Sequence, residues 1–362
     1  MRITLASVVL SVCLASVSQG AFRTVSNTAN FPAQYTTLQA ALDACAHGDV
    51  VLVAGSETAY GDVTVKRRVT IIGPGYNPNK QSALVAKVGT LTLTAANAGG
   101  DSSGTLLLGL DVTSTVVGSN SGPQAYQRIQ NVVIERCRVG SVDPLFSKNW
   151  TVKNCIITSL LRGGSLPNTC DGLLVSNNIF SGQIYTFTNN DANVTIANNI
   201  FIRSSGTIYY SGSARNIIFT NNIFYGVSPY NASNDFCTWN NNISCFNYPV
   251  TNDNFNITGT NSGGGNQVTV DPDFVGVVKQ AVAFAYTQSF HLNAGSPAIG
   301  AGTDGTDVGI YGGMFPWPDG GAVPWETSPM PYIPVMEALN IQNANVRENG
   351  NLNVNIKART ND

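Results

Sequence analysis

One eight-residue phrase recurs in the middle of the chain, as LLVSNNIF at 173–180, VTIANNIF at 194–201 and IIFTNNIF at 217–224. Looser copies read VVIERCRV at 132–139, WTVKNCII at 150–157 and CTWNNNIS at 237–244. When the six copies are aligned, their sixth letters are separated by 18, 23, 21, 23 and 20 residues. A unit that recurs at this spacing is typical of a solenoid, in which each repeat stacks on the next.

Each copy has the pattern of a β-strand with one buried face. Apolar and polar letters alternate, as in Val194 and Ile196 or in Ile217 and Phe219, and side chains on a strand alternate between its two faces. Turn-forming stretches such as SGQ, SSG and NNDAN separate the strands. The pattern therefore predicts short strands that stack about 4.8 Å apart into parallel sheets.

The aligned letters form columns whose orientation can be predicted. The sixth-letter column contains small, usually buried cysteines, so it is predicted to point inward and to form a ladder of hydrogen-bonded amides. Its members are Cys137, Cys155, Asn178, Asn199, Asn222 and Asn242. The eighth letter predicts an interior stack of Phe180, Phe201 and Phe224. The fifth letter, which includes Arg136, is predicted to face water.

A second set of asparagines opens the repeat unit. Its members are Asn131, Asn149, Asn193 and Asn216. Asparagine tolerates left-handed backbone and bonds to its own chain, so these positions are predicted to be tight turns.

The repeat and the stretch TTLQAALDACAHGDVVLVAG resemble right-handed parallel β-helix proteins of the pectin-lyase-like superfamily, in their secreted bacterial form. The resemblance covers about residues 30–313 and ends in VTVDPDFVG and FHLNAGSPAIGAGTDGTDVGIYGG. It implies an all-β solenoid with a C-terminal strand or hairpin cap. Thr37 as N-cap and Gly48 as stop predict a short helix near Leu38–Ala46, which would cover the N-terminal end of the coil.

The resemblance also implies contact with acidic or neutral polysaccharides. Enzymes of this type place their sites on one sheet, using clustered aspartates or calcium with a basic residue that abstracts a proton. The repeats contain no matching cluster. No catalytic residue is therefore assigned, and whether the chain is an enzyme is left open.

The chain divides into four predicted segments. Residues 1–20 are a predicted signal peptide, because Arg2 precedes an apolar run and small residues surround Gly20. An uncleaved membrane anchor is the alternative. Residues 21–313 are assigned to the coil, 314–334 to a Pro- and Gly-rich strap, and 335–362 to a hairpin that caps the coil or docks on a partner. A secreted or cell-surface protein with no transmembrane segment after processing is expected.

Composition limits the partners and cofactors. Charged residues make up 11% of the chain and the net charge is −2, so nucleic acid is not a predicted partner. Cys137 and Cys155 are expected to be neighbouring free thiols. With only two histidines in the chain no zinc site or other cofactor is predicted. Calcium on Asp304 and Asp307 is an alternative, although the DG turn signal favours a closing turn there.

Tyrosines supply the predicted binding site. Tyr185, Tyr210 and Tyr230 lie on consecutive repeats, and their rings would offer flat faces to a linear glycan. Tyr209 and its neighbour Tyr210 cannot both face outward, and Tyr210 is predicted to be the exposed one. Asp191 and Arg203 are predicted to add polar contacts. The alternative is that these rings only cover the coil.

Charged residues at one turn edge allow two interpretations. Lys148, Asp171, Arg215 and Asp235 recur at one position of the repeat, which favours a solvated edge with ion pairs between rungs. The alternative is that Asp171 and Asp191 act as acid and base for glycoside hydrolysis, or as calcium ligands.

Two classes of function follow from these observations. The first is a secreted protein that contacts polysaccharide, either as a binder or as a lyase or glycoside hydrolase. The second is a non-catalytic surface, adhesion or structural module in which the coil is a stiff rod. Low charge and scarce histidine favour non-enzymatic roles, whereas the tyrosine row favours glycans.

Overall fold

The computed structural model describes residues 20–29, 31–77, 84–96, 100–119, 128–163, 170–187, 193–245, 254–277, 283–317, 335–342, 346 and 350–359. These residues form a parallel β-helix whose strands wind between two large sheets. Every strand pairing within those two sheets is parallel in the described part of the chain. The chain is therefore a parallel β-helix protein, as its repeat predicts.

The first sheet has eleven strands, and each rung contributes one. They are Phe22–Val25, Val50–Val53, Thr70–Ile72, Leu106–Leu108, Val133–Glu135, Thr151–Lys153, Leu174–Ser176, Val194–Ala197, Ile217–Thr220, Thr238–Asn240 and Ser262–Gly264. Their register places equivalent letters of the repeat side by side: Val175 pairs with Ile196, and Ile196 with Phe219. These three side chains are fully buried, so the predicted period-two pattern is confirmed.

The second sheet has fourteen strands, because several rungs contribute two. They are Val63–Val65, Lys87–Val88, Leu91–Thr94, Asp111–Ser119, Arg138–Asp143, Ile156–Ile157, Leu160–Arg162, Ile179–Phe180, Gln183–Phe187, Ile200–Ile202, Tyr209–Ala214, Ile223–Tyr225, Ile243–Cys245 and Gln267–Val268. A third, small sheet joins Ile129–Gln130, Ser147–Lys148 and Cys170–Asp171 at the turn that leads back to the first sheet.

The helix spans Leu38–Asp43 and begins as predicted, with the Thr37 hydroxyl accepting the Ala40 N–H at 3.3 Å. It ends three residues earlier than predicted, because the Ala46 N–H donates to the Asp49 carboxylate at 3.0 Å instead of continuing the helix. Leu38 and Leu42 are buried with the first rungs. That this helix caps the N-terminal end of the coil stays a prediction.

The sixth-letter column runs through the coil as a continuous series of hydrogen bonds. Asn178 donates its side-chain amide to the Asn199 Oδ1 at 3.0 Å, Asn199 to Asn222 at 3.0 Å, and Asn222 to Asn242 at 2.9 Å. The series extends by one rung to Asn266, which lies outside the eight-letter copies. Because each amide also donates to a strand carbonyl, the buried polar groups are satisfied inside the core.

Sulfur replaces the amide oxygen in the two earlier rungs of that column. The Cys155 Sγ accepts the Cys137 N–H at 3.4 Å, in the position where an Asn Oδ1 accepts on later rungs. Both thiols are free and buried. Beside this column the Phe180, Phe201 and Phe224 rings stack at centroid distances of 4.5 and 5.0 Å, as predicted.

The turn asparagines have the predicted left-handed backbone. Asn131, Asn149 and Asn216 each have φ of 55°, and Asn193 has φ of 43°. The fifth-letter residues share this conformation: Arg136, Asn154, Asn177, Asn198, Asn221 and Asn241 have φ between 49° and 56°. The repeat therefore turns through a left-handed residue on both sides of its first-sheet strand.

The prediction that the fifth-letter column faces water is wrong. Arg136, Asn154, Asn177, Asn198 and Asn221 are buried, and Asn241 is half-buried. Residues 270–277 and 283–317, here called the C-terminal coat, lie against the coil instead of extending it. Five of the fifth-letter asparagines donate their side-chain amides to the coat. Asn154 donates to Phe315, Asn177 to Ile310 and Gly312, Asn198 to Asp307 and Gly309, Asn221 to Thr303, and Asn241 to Ala301.

The coil ends earlier than residue 313, because the residues that follow it form the coat. Among the described residues, the last parallel strand is Gln267–Val268. The seventh-letter isoleucines point out of the coil and pack against apolar coat side chains: Phe274, Phe290, Val308, Ile310 and Trp317. The isoleucines are Ile156, Ile179, Ile200, Ile223 and Ile243. Burying this outer column needs a second apolar layer, which the residues assigned to the last turns supply.

A separate antiparallel hairpin joins Val335–Ile341 to Val354–Arg359, as the two alternating runs near the C-terminus predict. Ile341 and Ile356 are exposed on it. The rest of the predicted strap, residues 318–334, lies outside the described residues. Docking of the hairpin on the coil or on a partner stays a prediction.

Candidate functional site

Four side chains from consecutive rungs line up on the outer face of the second sheet. Their inward neighbours Val142, Leu161, Ile184 and Tyr209 are all buried in the core. Because strand side chains alternate, the next residue in each strand points outward. These outward residues, here called the strip, are Asp143, Arg162, Tyr185 and Tyr210.

Direct contacts connect the strip from end to end. The Arg162 Nη1 lies 2.7 Å from the Asp143 Oδ2, and the Arg162 guanidinium carbon lies 5.9 Å from the centre of the Tyr185 ring. The Tyr185 and Tyr210 ring centres are 5.8 Å apart and their planes are tilted by 48°. The strip is therefore a continuous surface of one ion pair followed by two aromatic rings.

A register shift brings Tyr210 to the surface. Ile184 pairs with Tyr209, whereas the next residue, Tyr185, pairs with Ser211, so Tyr210 is an extra residue in its strand. Tyr209 is buried, and its hydroxyl accepts the Asn234 amide at 2.7 Å. Tyr210 is 64% exposed. The prediction that Tyr210, and not Tyr209, is the exposed member of the pair is confirmed.

Asp143 lies beneath Arg162 and is almost fully covered. Its side chain is 8% exposed, against 40% for Arg162, and its Oδ1 has no hydrogen-bond partner within the described part of the chain. Burial raises the pKa of the Asp143 carboxyl above its usual value, against the opposing effect of the Arg162 charge. The Arg162 guanidinium is therefore the charged group that the strip presents to solvent.

Two predicted site residues, Tyr230 and Arg203, lie apart from this strip. Tyr230 belongs to the next rung, since the adjacent Asn231 donates to the Gly212 carbonyl at 2.9 Å. Its ring is half-buried and contacts neither Tyr185 nor Tyr210. The third, Asp191, lies outside the described residues.

Arg203 is partly buried between strands. Its Nη1 donates to the Ser181 carbonyl at 3.4 Å. Burial lowers the pKa of its guanidinium. No hydrogen bond or ring contact among the described residues connects it to Tyr185, Tyr210 or Tyr230, so it is not part of the strip.

The charged turn edge contains an ion pair of the kind predicted. Arg215 bonds to Asp235 on the next rung, and its guanidinium carbon lies 4.6 Å from the centre of the Phe236 ring. Thr260 on the following rung donates to the same Asp235 carboxylate. Asp171 lies in the small third sheet, paired with Lys148 in register. Its predicted partner as acid, base or calcium ligand is Asp191, which the structure does not describe.

The sequence TDGTD forms a closing turn. The Asp304 Oδ1 accepts the Thr306 N–H at 3.1 Å, and the Asp307 Oδ1 accepts the Gly300 N–H at 2.9 Å. Among the residues that the structure describes, no group of three or more His, Cys, Asp or Glu side chains lies together. Calcium binding by Asp304 and Asp307 stays a hypothesis.

Two members of the strip, Asp143 and Arg162, were not predicted as site residues. A sequence signal for Arg162 exists, because it follows Cys155 by seven residues just as Tyr185 follows Asn178 by seven. Counting forward from the sixth-letter column therefore places Arg162 beside Tyr185, which is their observed register. Tyr210 follows Asn199 by eleven residues, since the longer turn and the extra residue intervene.

Comparison with known proteins adds little to what the structure itself shows. No family model matches the sequence, and no curated protein matches it. One similar solved structure is that of pectate lyase Pel9A, with a TM-score of 0.35 and 13% sequence identity over 80% of this chain and 96% of that chain. A similarity of this size assigns no activity. No helix in the described ranges is long and apolar enough to span a membrane.

Proposed function

We propose that this protein is secreted and contacts a linear polysaccharide through the strip. The observation that carries the proposal is the adjacency of the Tyr185 and Tyr210 rings beside the exposed guanidinium of Arg162. Sugar rings have apolar faces that pack on aromatic rings, and their hydroxyl rims bond to polar groups at the edge. A guanidinium supplies several donors in a fixed geometry for hydroxyl or carboxylate oxygens.

The geometry suits an extended ligand better than a small molecule. Neighbouring rungs of a parallel sheet are about 4.8 Å apart, so the four strip residues span roughly three such steps, or about 14 Å, across the strands. Consecutive sugar units of one chain could therefore contact Arg162, Tyr185 and Tyr210 in turn.

The experiment is affinity electrophoresis of the mature chain through gels that contain linear neutral or acidic polysaccharides. The double variant Tyr185→Ala with Tyr210→Ala should abolish the retardation, since each stacking ring contributes about 0.5–1.5 kcal/mol or more. Phe236→Ala is the matched control, because Phe236 is an exposed ring that contacts Arg215 and is not part of the strip. Retardation that survives the double variant would place the binding surface elsewhere.

Catalysis is tested in the same preparation. New unsaturated ends would indicate a lyase, and new reducing ends without unsaturation a hydrolase. The strip itself offers an arginine bonded to a carboxylate, and no described pair of carboxyl groups accompanies it. We therefore expect binding without cleavage.

A non-catalytic surface module is the second candidate. The C-terminal hairpin favours it, because Ile341 is 56% and Ile356 62% exposed, and a two-stranded hairpin is marginally stable without a partner. In this role the coil would hold the strip away from an anchoring surface. Loss of cell-surface retention in Ile341→Ser with Ile356→Ser, with glycan retardation unchanged, would support this candidate.

A further inference from the structure

A polar pocket of about 400 Å³ lies at the turns of the early rungs. Its lining residues are His47, Arg68, Asp101, Ser103, Gly104 and Asn131. They come from the turns that precede four consecutive strands of the first sheet, which begin at Val50, Thr70, Leu106 and Val133. The pocket is thus built by rung stacking, not by one loop.

Gly104 makes room for the Arg68 side chain. A Cβ atom on Gly104 would lie 2.9 Å from the Arg68 Cδ, whereas one on Gly48 would lie 3.9 Å from its guanidinium, an ordinary van der Waals distance. Both glycines also have left-handed backbone, with φ of 79° and 95°. A larger residue at position 104 would therefore displace the arginine from the pocket wall.

The hydrogen bonds around the pocket leave three donors available to a ligand. His47 accepts the Arg68 N–H on its Nδ1 at 3.1 Å, so the neutral ring carries its proton on Nε2. The Ser103 Oγ accepts the Gln130 N–H at 3.0 Å, which leaves its own proton free to donate. The third donor is the guanidinium of Arg68, which is in no ion pair with another described residue.

Asp101 adds an acceptor to the same wall. Its Oδ1 accepts the Ser103 N–H at 2.9 Å, which fixes the carboxylate, and its Oδ2 can accept from a ligand. Asp101 and Arg68 do not form an ion pair with each other, although both line the pocket. Two opposite charges that line one pocket without pairing with each other are complementary to a ligand that carries both an anionic group and hydrogen-bond donors.

We propose that this pocket binds a polyhydroxylated carboxylate. The carboxylate would pair with the Arg68 guanidinium and the His47 N–H, because a guanidinium fork matches a carboxylate. The hydroxyl groups would donate to Asp101 and accept from Ser103. This site is separate from the strip and uses none of its residues.

Titration calorimetry with D-gluconate tests the proposal on the mature chain. Gluconate should bind, whereas glucose lacks the carboxylate and acetate lacks the hydroxyls, so each should bind at least about tenfold more weakly, which corresponds to one charge-assisted hydrogen bond. Arg68→Gln should weaken gluconate binding at least about tenfold. Asp101→Asn should reduce the preference for gluconate over acetate.

The matched control is Arg67→Gln, because Arg67 is exposed, donates to the Lys66 carbonyl and does not line the pocket. Unchanged gluconate affinity in Arg68→Gln would overturn the proposal, as would equal binding of acetate or absence of gluconate binding. The variant with both strip tyrosines replaced should bind gluconate normally. Failure of the strip and failure of this pocket can therefore be distinguished.

Discussion

The side-chain amide of Asn177 donates to the carbonyl oxygen of Ile310 at 3.0 Å, although 133 residues separate the two along the chain. The same amide reaches the Gly312 carbonyl at 2.7 Å. One left-handed turn of the coil therefore holds the C-terminal coat in place.

Replacing Asn177 by Gly should loosen the coat. Glycine keeps the left-handed backbone, so the change removes only the amide, and the free energy of unfolding should fall by about 1–3 kcal/mol. Protease cleavage within residues 298–317 should become faster. Asn149→Gly is the control, since Asn149 has nearly the same φ, 55° against 56°, but is exposed. Equal effects of the two changes would mean that the bonds to the coat contribute nothing.

Asn199→Ala should destabilise the coil itself. The Asn199 Oδ1 accepts the backbone and side-chain N–H groups of Asn178, and its amide donates to Asn222, so Ala leaves several buried groups without partners. We expect a loss of about 1–3 kcal/mol. The denaturant midpoint measures it, and an unchanged midpoint would show that these amides are replaceable by water.

Phe201→Ala should cost more than the amide change. The ring is fully buried between Phe180 and Phe224, and truncation leaves a cavity in the middle of the stack. The expected loss is about 3–5 kcal/mol. Phe236→Ala, at an exposed ring, should shift the midpoint little. A loss below about 1 kcal/mol for Phe201→Ala would indicate that the core collapses around the missing ring.

The buried thiols should be unreactive in the native protein. Burial raises the pKa of Cys170 to about 12 and that of Cys237 to about 11. A raised pKa means less thiolate, which is the reactive form, so at pH 8 about one Cys170 in ten thousand is ionised. Ellman's reagent should titrate almost no thiol before denaturation. Afterwards it should find six if residues 1–20 have been removed and seven if they remain.

Stability should depend on pH through Asp143. Because its folded-state pKa is raised, the native state holds this proton at pH values where the unfolded chain has lost it. The contribution to stability therefore falls as pH rises from about 4, the usual carboxyl value, through the raised pKa. Urea midpoints of the native chain and of Asp143→Asn at pH 4.5 and 7 measure it. Between pH 4.5 and pH 7 the unsubstituted protein should lose more stability than Asp143→Asn, and equal losses would contradict a raised pKa of Asp143.

The sequence predicts the interior of this fold better than its exterior. Interior positions repeat with a strict spacing, so the column of Asn178 and Asn199 and the stack of Phe180 and Phe201 can be located without a structure. The fifth-letter prediction is wrong because a charged residue in the column, Arg136, does not indicate contact with solvent. Arg136 is 1% exposed, and the next residue in its column, Asn154, bonds to Phe315, which is 161 residues away in sequence.

A signal for the C-terminal coat was nevertheless present in the phrase NNIF. Its last two letters are both apolar and adjacent, and adjacent strand residues point to opposite faces. An Ile column beside a Phe column therefore requires burial on both sides of the sheet. The partner of the Ile column cannot be read from the repeat, since residues 270–317 follow no period.

The strip shows the same limit. The alternation of inward and outward side chains along its strands can be predicted from the sequence. Tyr210, however, reaches the surface through a register shift that the spacing of the repeat does not reveal. Tyr230 lies on the rung after Tyr210, and Arg203 follows the strand Ile200–Ile202, which precedes the Tyr210 strand in the same rung.

The C-terminal coat sets the order in which the parts of this protein can fold. A solenoid normally contacts only its nearest rungs, so it can form progressively as the chain is synthesised. Here the bond from Asn154 to Phe315 spans 161 residues, and contacts so distant in sequence form slowly. The outer isoleucine column of the growing coil therefore faces water until the last segment emerges, and during that interval it is a surface for chaperones or for aggregation.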